Sequence, residues 1–273
     1  MRDARSESVL RAGKGDGSRA TSTEPILSCE EVVVRYGGVV AVGGVSLAAY
    51  PGEVLGLIGP NGAGKSSLLG ACGGQLKTAA GHIRFEGRDV TKLPPYRRAR
   101  LGITRTFQST SEFEAMTVFE NLVTSARGNR GASLLQTTWG WRQSRKEETE
   151  ACGHAWQILD RFEMADTADA YGRELSGGQR RLVEIMRCLM RRPSLLLLDE
   201  PMVGVAPHLV ARLVSDLRSI AADGIALILV EHALEVVGDL CDRVVVMSQG
   251  TVIAEGSYAA VVEDEAVRNA YIG

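Results

Sequence analysis

A glycine-rich segment near residue 60 has the residue types needed to hold phosphate groups. Residues 59–66 read GPNGAGKS, which fits GxxxxGK followed by Ser or Thr and lies between an apolar segment and a helical one. Backbone N–H groups in such a turn point at phosphate oxygens, because small side chains allow close approach. We expect Lys65 to contact the β- and γ-phosphates of ATP and the Ser66 hydroxyl to bind Mg²⁺. The alternative is a glycine-rich turn without a ligand. The residues predicted to bind the nucleotide here are Gly59, Asn61, Gly62, Ala63, Gly64, Lys65, Ser66 and Ser67.

Two carboxylates end an apolar run further along the chain. Residues 194–200 read SLLLLDE. A Mg²⁺ ion held by phosphates prefers a carboxylate nearby, and Asp199 is placed to provide it. Glu200, one residue later, is predicted to accept a proton from the attacking water. The alternative is an ordinary strand end with a surface charge.

A second anion-binding pattern is LSGGQ at residues 175–179. Ser176 and Gln179 have the spacing of a capping box, which starts a helix. Gly177 and Gly178 leave backbone N–H groups open at the N-terminus of this helix. One chain therefore has two separate structures that face phosphate.

These motifs require a scaffold that holds several strand ends together. From Ile26 onward, short apolar strands alternate with helical patterns, which predicts an α/β domain around a mostly parallel sheet. The first part differs, because residues 26–36, 45–50 and 81–86 predict a small antiparallel lobe. Helices are predicted at residues 65–75, after a capping box formed by Thr117 and Glu120, and at 207–223.

Length and composition exclude several classes of protein. A chain of 273 residues suits one large domain or two unequal lobes. It has 31 Lys and Arg against 33 Asp and Glu, which argues against broad electrostatic binding of nucleic acid. Five widely separated cysteines form no metal-ligand pattern and favour a reducing compartment. No apolar run approaches the ~18 residues that cross a bilayer, so a membrane role requires a partner that spans it. Residues 1–24 are predicted to be a disordered tail.

The motifs occur in the order found in ABC ATPases, and residues 25–273 resemble that family. The resemblance implies a P-loop NTPase core with a mostly parallel sheet, a small antiparallel β lobe and a helical signature subdomain. This subdomain is expected at about residues 109–190, with an insertion at about 128–150 that is either solvated or in contact with a membrane partner. The resemblance also implies that two subunits pair, as a homodimer or with a related chain. The residues expected to close over the ATP of the opposite subunit are Ser176, Gly177, Gly178 and Gln179.

The same resemblance assigns roles to three further residues. Tyr36 matches the aromatic residue that lies against adenine, with an ordinary strand tyrosine as the alternative. Gln108 matches the glutamine that contacts Mg²⁺ and the attacking water and moves with the membrane subunit. His232 matches the switch histidine that contacts the γ-phosphate, although a lone histidine after a strand is more often a packing residue.

Within the family, the chain looks most similar to the ATPases of branched-chain amino acid importers. The segments that carry this similarity are GITRTFQ at 102–108 and MTVFEN at 116–121. The insertion after Arg127, VEH at 230–232, LCDR at 240–243, IAEG at 253–256 and AYIG at 270–273 look similar too. Ala206-Pro207, where many ABC ATPases have Leu-Asp, supports this subgroup. Met202 and Val203 depart from the polar or small residues common at these positions, which lie in the loop that the family uses for dimer contact.

The resemblance implies an ATP-hydrolysing subunit that powers import of branched-chain or other hydrophobic amino acids. Its expected partners are transmembrane permease subunits, a second ATPase subunit and, indirectly, a substrate-binding protein, at the cytoplasmic face of the membrane. The alternatives are the ATPase of an exporter, of a lipid transporter or of a urea or amide transporter. A soluble ABC-type ATPase acting on DNA or the ribosome is disfavoured by the near-neutral charge, and a P-loop kinase by LSGGQ.

Overall fold

The computed structural model describes residues 24–106, 114–126 and 141–272. The strands are β1 (Leu27–Tyr36), β2 (Val39–Ala49), β3 (Val54–Ile58), β4 (Ala80–Phe85), β5 (Arg88–Asp89), β6 (Ile103–Arg105), β7 (Leu195–Asp199), β8 (Ala226–Val230), β9 (Arg243–Ser248) and β10 (Thr251–Gly256). The helices are α1 (Lys65–Gly73), α2 (Pro95–Leu101), α3 (Val118–Ser125), α4 (Trp141–Arg161), α5 (Gly177–Leu189), α6 (Pro207–Ala222), α7 (Leu234–Leu240), α8 (Tyr258–Glu263) and α9 (Glu265–Ile272). Short 3₁₀ turns occur at Ala165–Thr167 and Gly172–Glu174. Among the described helices, none has both the length and the apolarity that crossing a membrane requires.

Two sheets form the framework of the described chain. One has the order β2-β1-β4-β5 and is antiparallel. The other has the order β10-β9-β3-β8-β7-β6, in which all neighbours are parallel except the pair β10 and β9. The predicted α/β class, the mostly parallel sheet and the small antiparallel lobe are therefore confirmed.

Strand β7 divides the apolar interior into two clusters because its side chains alternate between the faces of the sheet. Leu196 and Leu198 pack with helices α3, α4, α5 and α6 on one face. Leu195 and Leu197 pack on the other face with α1 and the antiparallel sheet. All four leucines are fully buried, so β7 is shared by both halves of the molecule, and its C-terminal residue Asp199 is held firmly.

The predicted helix starts agree with the structure where a cap specifies them. Thr117 and Glu120 form both hydrogen bonds of a capping box at the start of α3, and Ser176 and Gln179 form both at the start of α5. Pro207 begins α6, as predicted. Helix α4 was not foreseen: the backbone is helical from residue 141, within the range 128–150 for which the sequence suggested only an insertion.

Candidate functional site: a phosphate-binding edge of the parallel sheet

The candidate site lies where four neighbouring parallel strands end. Strands β3, β8, β7 and β6 are adjacent in the sheet and point the same way. Strand β3 leads into the glycine-rich turn at residues 59–66, which we call the phosphate loop. The residues that directly follow β8, β7 and β6 are Glu231, Glu200 and Thr106, in that order. Ligands bind parallel α/β sheets at this edge, so the fold brings motifs from distant parts of the sequence together.

The phosphate loop requires glycine at two positions because other backbones lie against it. Gly59 has φ 141°, and a Cβ atom there would lie 2.0 Å from the carbonyl oxygen of Met247. Gly64 has φ 98°, and its Cβ atom would lie 2.2 Å from the carbonyl oxygen of Ala41. Strands β9 and β2 therefore fix the shape of the loop before any ligand binds.

Lys65, the first residue of α1, folds back over this loop. Its ammonium donates hydrogen bonds to the carbonyl oxygens of Gly59, at 2.8 Å, and Pro60, at 2.9 Å. Only 5% of the residue is exposed. Burial lowers the pKa of Lys65, while the nearby carboxylates of Glu200 and Asp199 raise it in part. A buried cation that is held only by carbonyls and two nearby acids is well suited to bind phosphate.

Asp199 is the buried acid at the centre of the site. Its carboxylate accepts a hydrogen bond from Ser66 Oγ at 3.1 Å and from Arg105 Nη2 at 2.8 Å. The Asp199 side chain is 2% exposed and that of Arg105 is 15% exposed. Ser66 and Asp199 thus present two hard oxygen atoms side by side, which is the donor chemistry that Mg²⁺ prefers.

Glu200 leaves the sheet in an unusual backbone conformation. It has φ 50°, a left-handed conformation that a non-glycine residue adopts at some cost in energy. Its N–H group donates to Val230 O at 2.9 Å, and Arg181 Nη2 donates to its carbonyl oxygen at 3.0 Å. The side chain then lies at the solvent-accessible mouth of the site, with Oε1 3.0 Å from His232 Nε2. Two of the three side chains predicted to act in catalysis, Glu200 and His232, are therefore in direct contact.

Glu231 supports this pair and was not identified from the sequence as a functional residue. It is 3% exposed, and its carboxylate accepts hydrogen bonds from the N–H groups of Met202 and His232, both at 3.0 Å. It connects the segment after β7 with the segment after β8. An acidic residue directly after the wholly apolar segment 225–230 was the available signal.

Tyr36 lies near the start of α1, as its predicted role requires. Its hydroxyl is 3.4 Å from Ser67 Oγ. Half of the residue, 51%, is exposed. The ring is therefore accessible next to the phosphate loop.

Residues 176–179 of the LSGGQ segment form hydrogen bonds with one another at the start of α5. Ser176 accepts from Gln179 N at 3.2 Å and Gln179 Oε1 accepts from Ser176 N at 2.9 Å. Gly177 and Gly178 lie against Gly204 and Val205. Within the described ranges, none of the hydrogen bonds of these residues reaches the phosphate loop.

Gln108 and Arg105 lie at or just after the C-terminal end of β6. Gln108 lies outside the described residues, so its predicted contacts stay a prediction. Arg105 ends β6 and pairs with Asp199, a contact that the sequence analysis did not predict. Its position at the end of a strand that neighbours β7 was the signal that was missed.

Comparison with known proteins agrees with this geometry. The family model described as ABC transporter matches residues 42–203, and that described as branched-chain amino acid ATP-binding cassette transporter matches residues 251–273. Two solved structures of an ATP-binding cassette from an ABC transporter are each 36% identical to this chain, and each match covers 92% of this chain and 100% of the other. The TM-score is 0.79 for the nucleotide-free structure and 0.80 for the structure in the ADP conformation. The chain belongs to the ATP-binding proteins of ABC transporters, which confirms the predicted class of transport ATPase.

Within that class, the chain is similar to several ATP-binding proteins of branched-chain amino acid transport. The probable branched-chain amino acid transport ATP-binding protein LivG of Methanocaldococcus jannaschii is 38% identical over 92% of this chain and 98% of its own length. The high-affinity branched-chain amino acid transport ATP-binding protein BraF of Pseudomonas aeruginosa is 34% identical, with 92% and 99% covered. The corresponding LivG protein of Escherichia coli K12 is 33% identical, with 92% and 99% covered.

Proposed function

We propose that this chain hydrolyses ATP to power the import of branched-chain or other hydrophobic amino acids through a membrane complex. The observation that carries the proposal is the meeting of Lys65, Ser66, Asp199 and Glu200 at one edge of the sheet. The amino acid class rests on the similarity to proteins of branched-chain amino acid transport.

The phosphate chain of ATP would lie along the N–H groups of the loop between Gly59 and Ser66, with Lys65 moving from its carbonyl acceptors to the phosphates. Tyr36 would lie against the adenine ring. Ser66 and Asp199, with Gln108, would hold Mg²⁺, which neutralises phosphate charge when it is bound.

Glu200 would act as the general base. Its carboxylate would take the proton from the attacking water, and His232 would contact the γ-phosphate. The 3.0 Å contact between the two side chains would keep both close to the γ-phosphate. Glu231, by binding backbone N–H groups on both sides of the site, would keep this pair aligned.

The signature helix would complete the site of a second subunit. The N-terminus of α5 is open to anions, and Ser176 is exposed. Because this helix end makes no hydrogen bond to its own phosphate loop within the described ranges, we propose a dimer. In it, residues 176–179 of one subunit would cover the ATP of the other.

Membrane subunits would bind in a groove of about 460 Å³ beside the edge strand β6. The groove lies between α2 and β6 on one side and α3 and α5 on the other. Its lining includes Arg105, Arg187, Arg191 and Glu184, an excess of positive charge that favours an acidic side chain on the partner. The peripheral position at the cytoplasmic face of a membrane follows from this proposal.

The decisive experiment measures ATP hydrolysis by the purified complex of this chain with its membrane subunits and binding protein. We expect leucine, isoleucine or valine to stimulate hydrolysis several-fold over the basal rate. Urea, short amides and charged amino acids serve as matched non-substrates. The Lys65→Ala complex, in which the ammonium is missing, should bind ATP weakly by calorimetry and show no stimulation.

Stimulation by urea or amides alone would reject the proposed substrate class. Unchanged ATP binding by Lys65→Ala would reject the proposed phosphate site.

A further inference from the structure

Helix α5 reaches the backbone at Glu200 through the side chain of Arg181. Arg181 Nη2 donates to the carbonyl oxygen of Glu200 at 3.0 Å, and Nη1 donates to Oε2 of Glu184 at 2.6 Å. The Arg181 side chain is 14% exposed and that of Glu184 is 8% exposed. One planar guanidinium thus joins two acceptors that lie on different elements, and both hydrogen bonds are assisted by its charge.

The backbone conformation of Glu200 needs support from other residues. Its φ of 50° is left-handed, which is unfavourable for a residue with a side chain. Pro201 follows directly, and a residue before proline favours extended backbone. Both properties oppose the observed conformation, so contacts with the rest of the molecule must hold it.

The peptide group between Glu200 and Pro201 can be held by hydrogen bonds only through its carbonyl oxygen, because proline has no N–H group. This oxygen accepts the N–H group of Val203 at 3.2 Å in addition to Arg181. On the other side of the Cα atom, the N–H group of Glu200 donates to Val230 O at 2.9 Å. The backbone that carries the Glu200 side chain is therefore held on both sides, and Arg181 provides the charged contact.

The start of α5 packs closely against the segment that follows Glu200. A Cβ atom at Gly178 would lie 3.5 Å from the Cα atom of Val205. Leu182 and Met202 belong to the same buried apolar cluster. This packing fixes the part of α5 from which the Arg181 side chain extends, so the guanidinium is already placed before any ligand binds.

We propose that Arg181 is a positioning residue for ATP hydrolysis: its guanidinium holds the peptide group after Glu200 and so keeps the Glu200 carboxylate where it can take a proton from water. This inference rests on the proposed function, because it assumes that Glu200 is the general base. It adds a residue that lies outside the LSGGQ segment and outside the residues predicted from the sequence to act in the site.

The test is Arg181→Gln. The amide of glutamine can still donate to Glu184 on the same helix, but the shorter side chain cannot reach the carbonyl oxygen of Glu200 as well. In the complex with the membrane subunits, we expect kcat to fall about tenfold, the rate equivalent of one hydrogen bond from a charged group. KM for ATP and the affinity of the full-length protein for MgATP, measured by calorimetry, should stay as in the wild type. The phosphate loop is untouched, and an unchanged affinity also shows that the variant is folded.

A combination with Glu200→Gln separates positioning from a general structural role. If Arg181 acts through the Glu200 carboxylate, Arg181→Gln should not slow the residual hydrolysis of the Glu200→Gln complex any further. Single-turnover assays measure this residual rate. A further tenfold loss in the double variant would show that Arg181 acts through another group, and would overturn the inference.

Arg268→Met is the matched control, since Arg268 is an exposed arginine of α9 that also donates to a backbone carbonyl, Val262 O, at 3.2 Å. It should leave kcat as in the wild type. Wild-type kcat in Arg181→Gln, or equal losses in Arg181→Gln and Arg268→Met, would overturn the inference while leaving the ATP site in place. Failure of the wild-type complex to hydrolyse ATP would instead reject the proposed function.

Discussion

Asp199 is a buried acid whose two carboxylate oxygens are both bound by other side chains. Ser66 donates to one of its carboxylate oxygens and Arg105 to the other. With 2% of its side chain exposed, this charge requires both partners, because a buried unpaired carboxylate is costly. A divalent cation that enters between Ser66 and Asp199 would find two oriented oxygen donors, while Arg105 keeps Asp199 in place.

The neighbouring residue Glu200 has the opposite surroundings. It is half-buried, accepts no backbone N–H group through its side chain in the described hydrogen bonds, and touches only His232 through Oε1. Two consecutive acids thus have different environments, one enclosed and paired, the other near solvent. The enclosed one is suited to hold a cation and the accessible one to take a proton.

Glu200→Gln tests this division of roles. Glutamine keeps the size and can still bond to His232, but it cannot accept a proton. We expect ATP hydrolysis to fall by about 10² or more, the usual contribution of a general base, with ATP affinity retained. The protein should accumulate as an ATP-bound dimer. Release of phosphate measures the hydrolysis rate, and light scattering after gel filtration measures the dimer.

The matched control is Glu263→Gln, an exposed acid on α8. It should hydrolyse ATP at the wild-type rate and form no stable dimer. Wild-type hydrolysis in Glu200→Gln would show that another group accepts the proton.

Helix α1 is held differently at its two ends. Its N-terminus is the phosphate loop and has no side-chain cap, so its N–H groups are open for an anion. Its C-terminal turn is held by Arg98 of α2, whose Nη1 donates to the carbonyl oxygens of Ala71, at 2.6 Å, and Cys72, at 2.8 Å. The end away from the ligand therefore carries the anchoring contacts.

Arg98→Met is predicted to destabilise the protein strongly. Arg98 is 1% exposed and also donates to the carbonyl oxygens of Thr91 and Leu93. Methionine occupies part of the volume but leaves these carbonyls without a donor, which should lower the free energy of unfolding by about 3 kcal/mol or more. Urea unfolding followed by circular dichroism measures the change. The control is Arg97→Met at the exposed neighbouring residue, which should change the free energy of unfolding by less than about 0.5 kcal/mol. If both variants lost the same free energy of unfolding, the four hydrogen-bond contacts of Arg98 would contribute little.

Local signals explain which elements could be predicted. The caps at Thr117 and Ser176 and the alternation of apolar segments are properties of a few consecutive residues, so the sequence reveals them directly. Helix α4 begins in a polar, strongly charged stretch, so its first turns show no apolar periodicity. One stabilising contact there is the i,i+4 ion pair between Lys146 and Glu150, which a search for apolar patterns does not detect. The contacts of Arg98 with the carbonyl groups of Ala71 and Cys72 join residues far apart in sequence. They depend on the packing of whole elements, so no local sequence pattern reveals them.

Strands β7 and β6 connect the nucleotide site to the groove in which we propose that the membrane subunits bind. Strand β7 contributes to both apolar clusters and ends at Asp199. Asp199 binds Arg105, which lines the groove together with Thr104. Within the described residues, Thr104 Oγ1 and Arg191 Nε are buried without a hydrogen-bond partner, and both residues belong to the groove lining. Thr104 directly precedes Arg105, the residue that binds Asp199, so a membrane subunit in the groove would lie beside the contacts that lead to Asp199.

Ala99→Trp tests whether the groove is the membrane contact. Ala99 is a half-buried lining residue on α2, and an indole ring there would occupy space that the partner needs. We expect the variant to bind MgATP with wild-type affinity but to co-purify with the membrane subunits at a yield reduced at least tenfold. The same change at Ala222, an exposed residue on the last turn of α6, should leave assembly intact. Normal assembly and amino acid-stimulated hydrolysis with Ala99→Trp would place the membrane contact elsewhere, because a groove filled by tryptophan cannot admit a second protein segment.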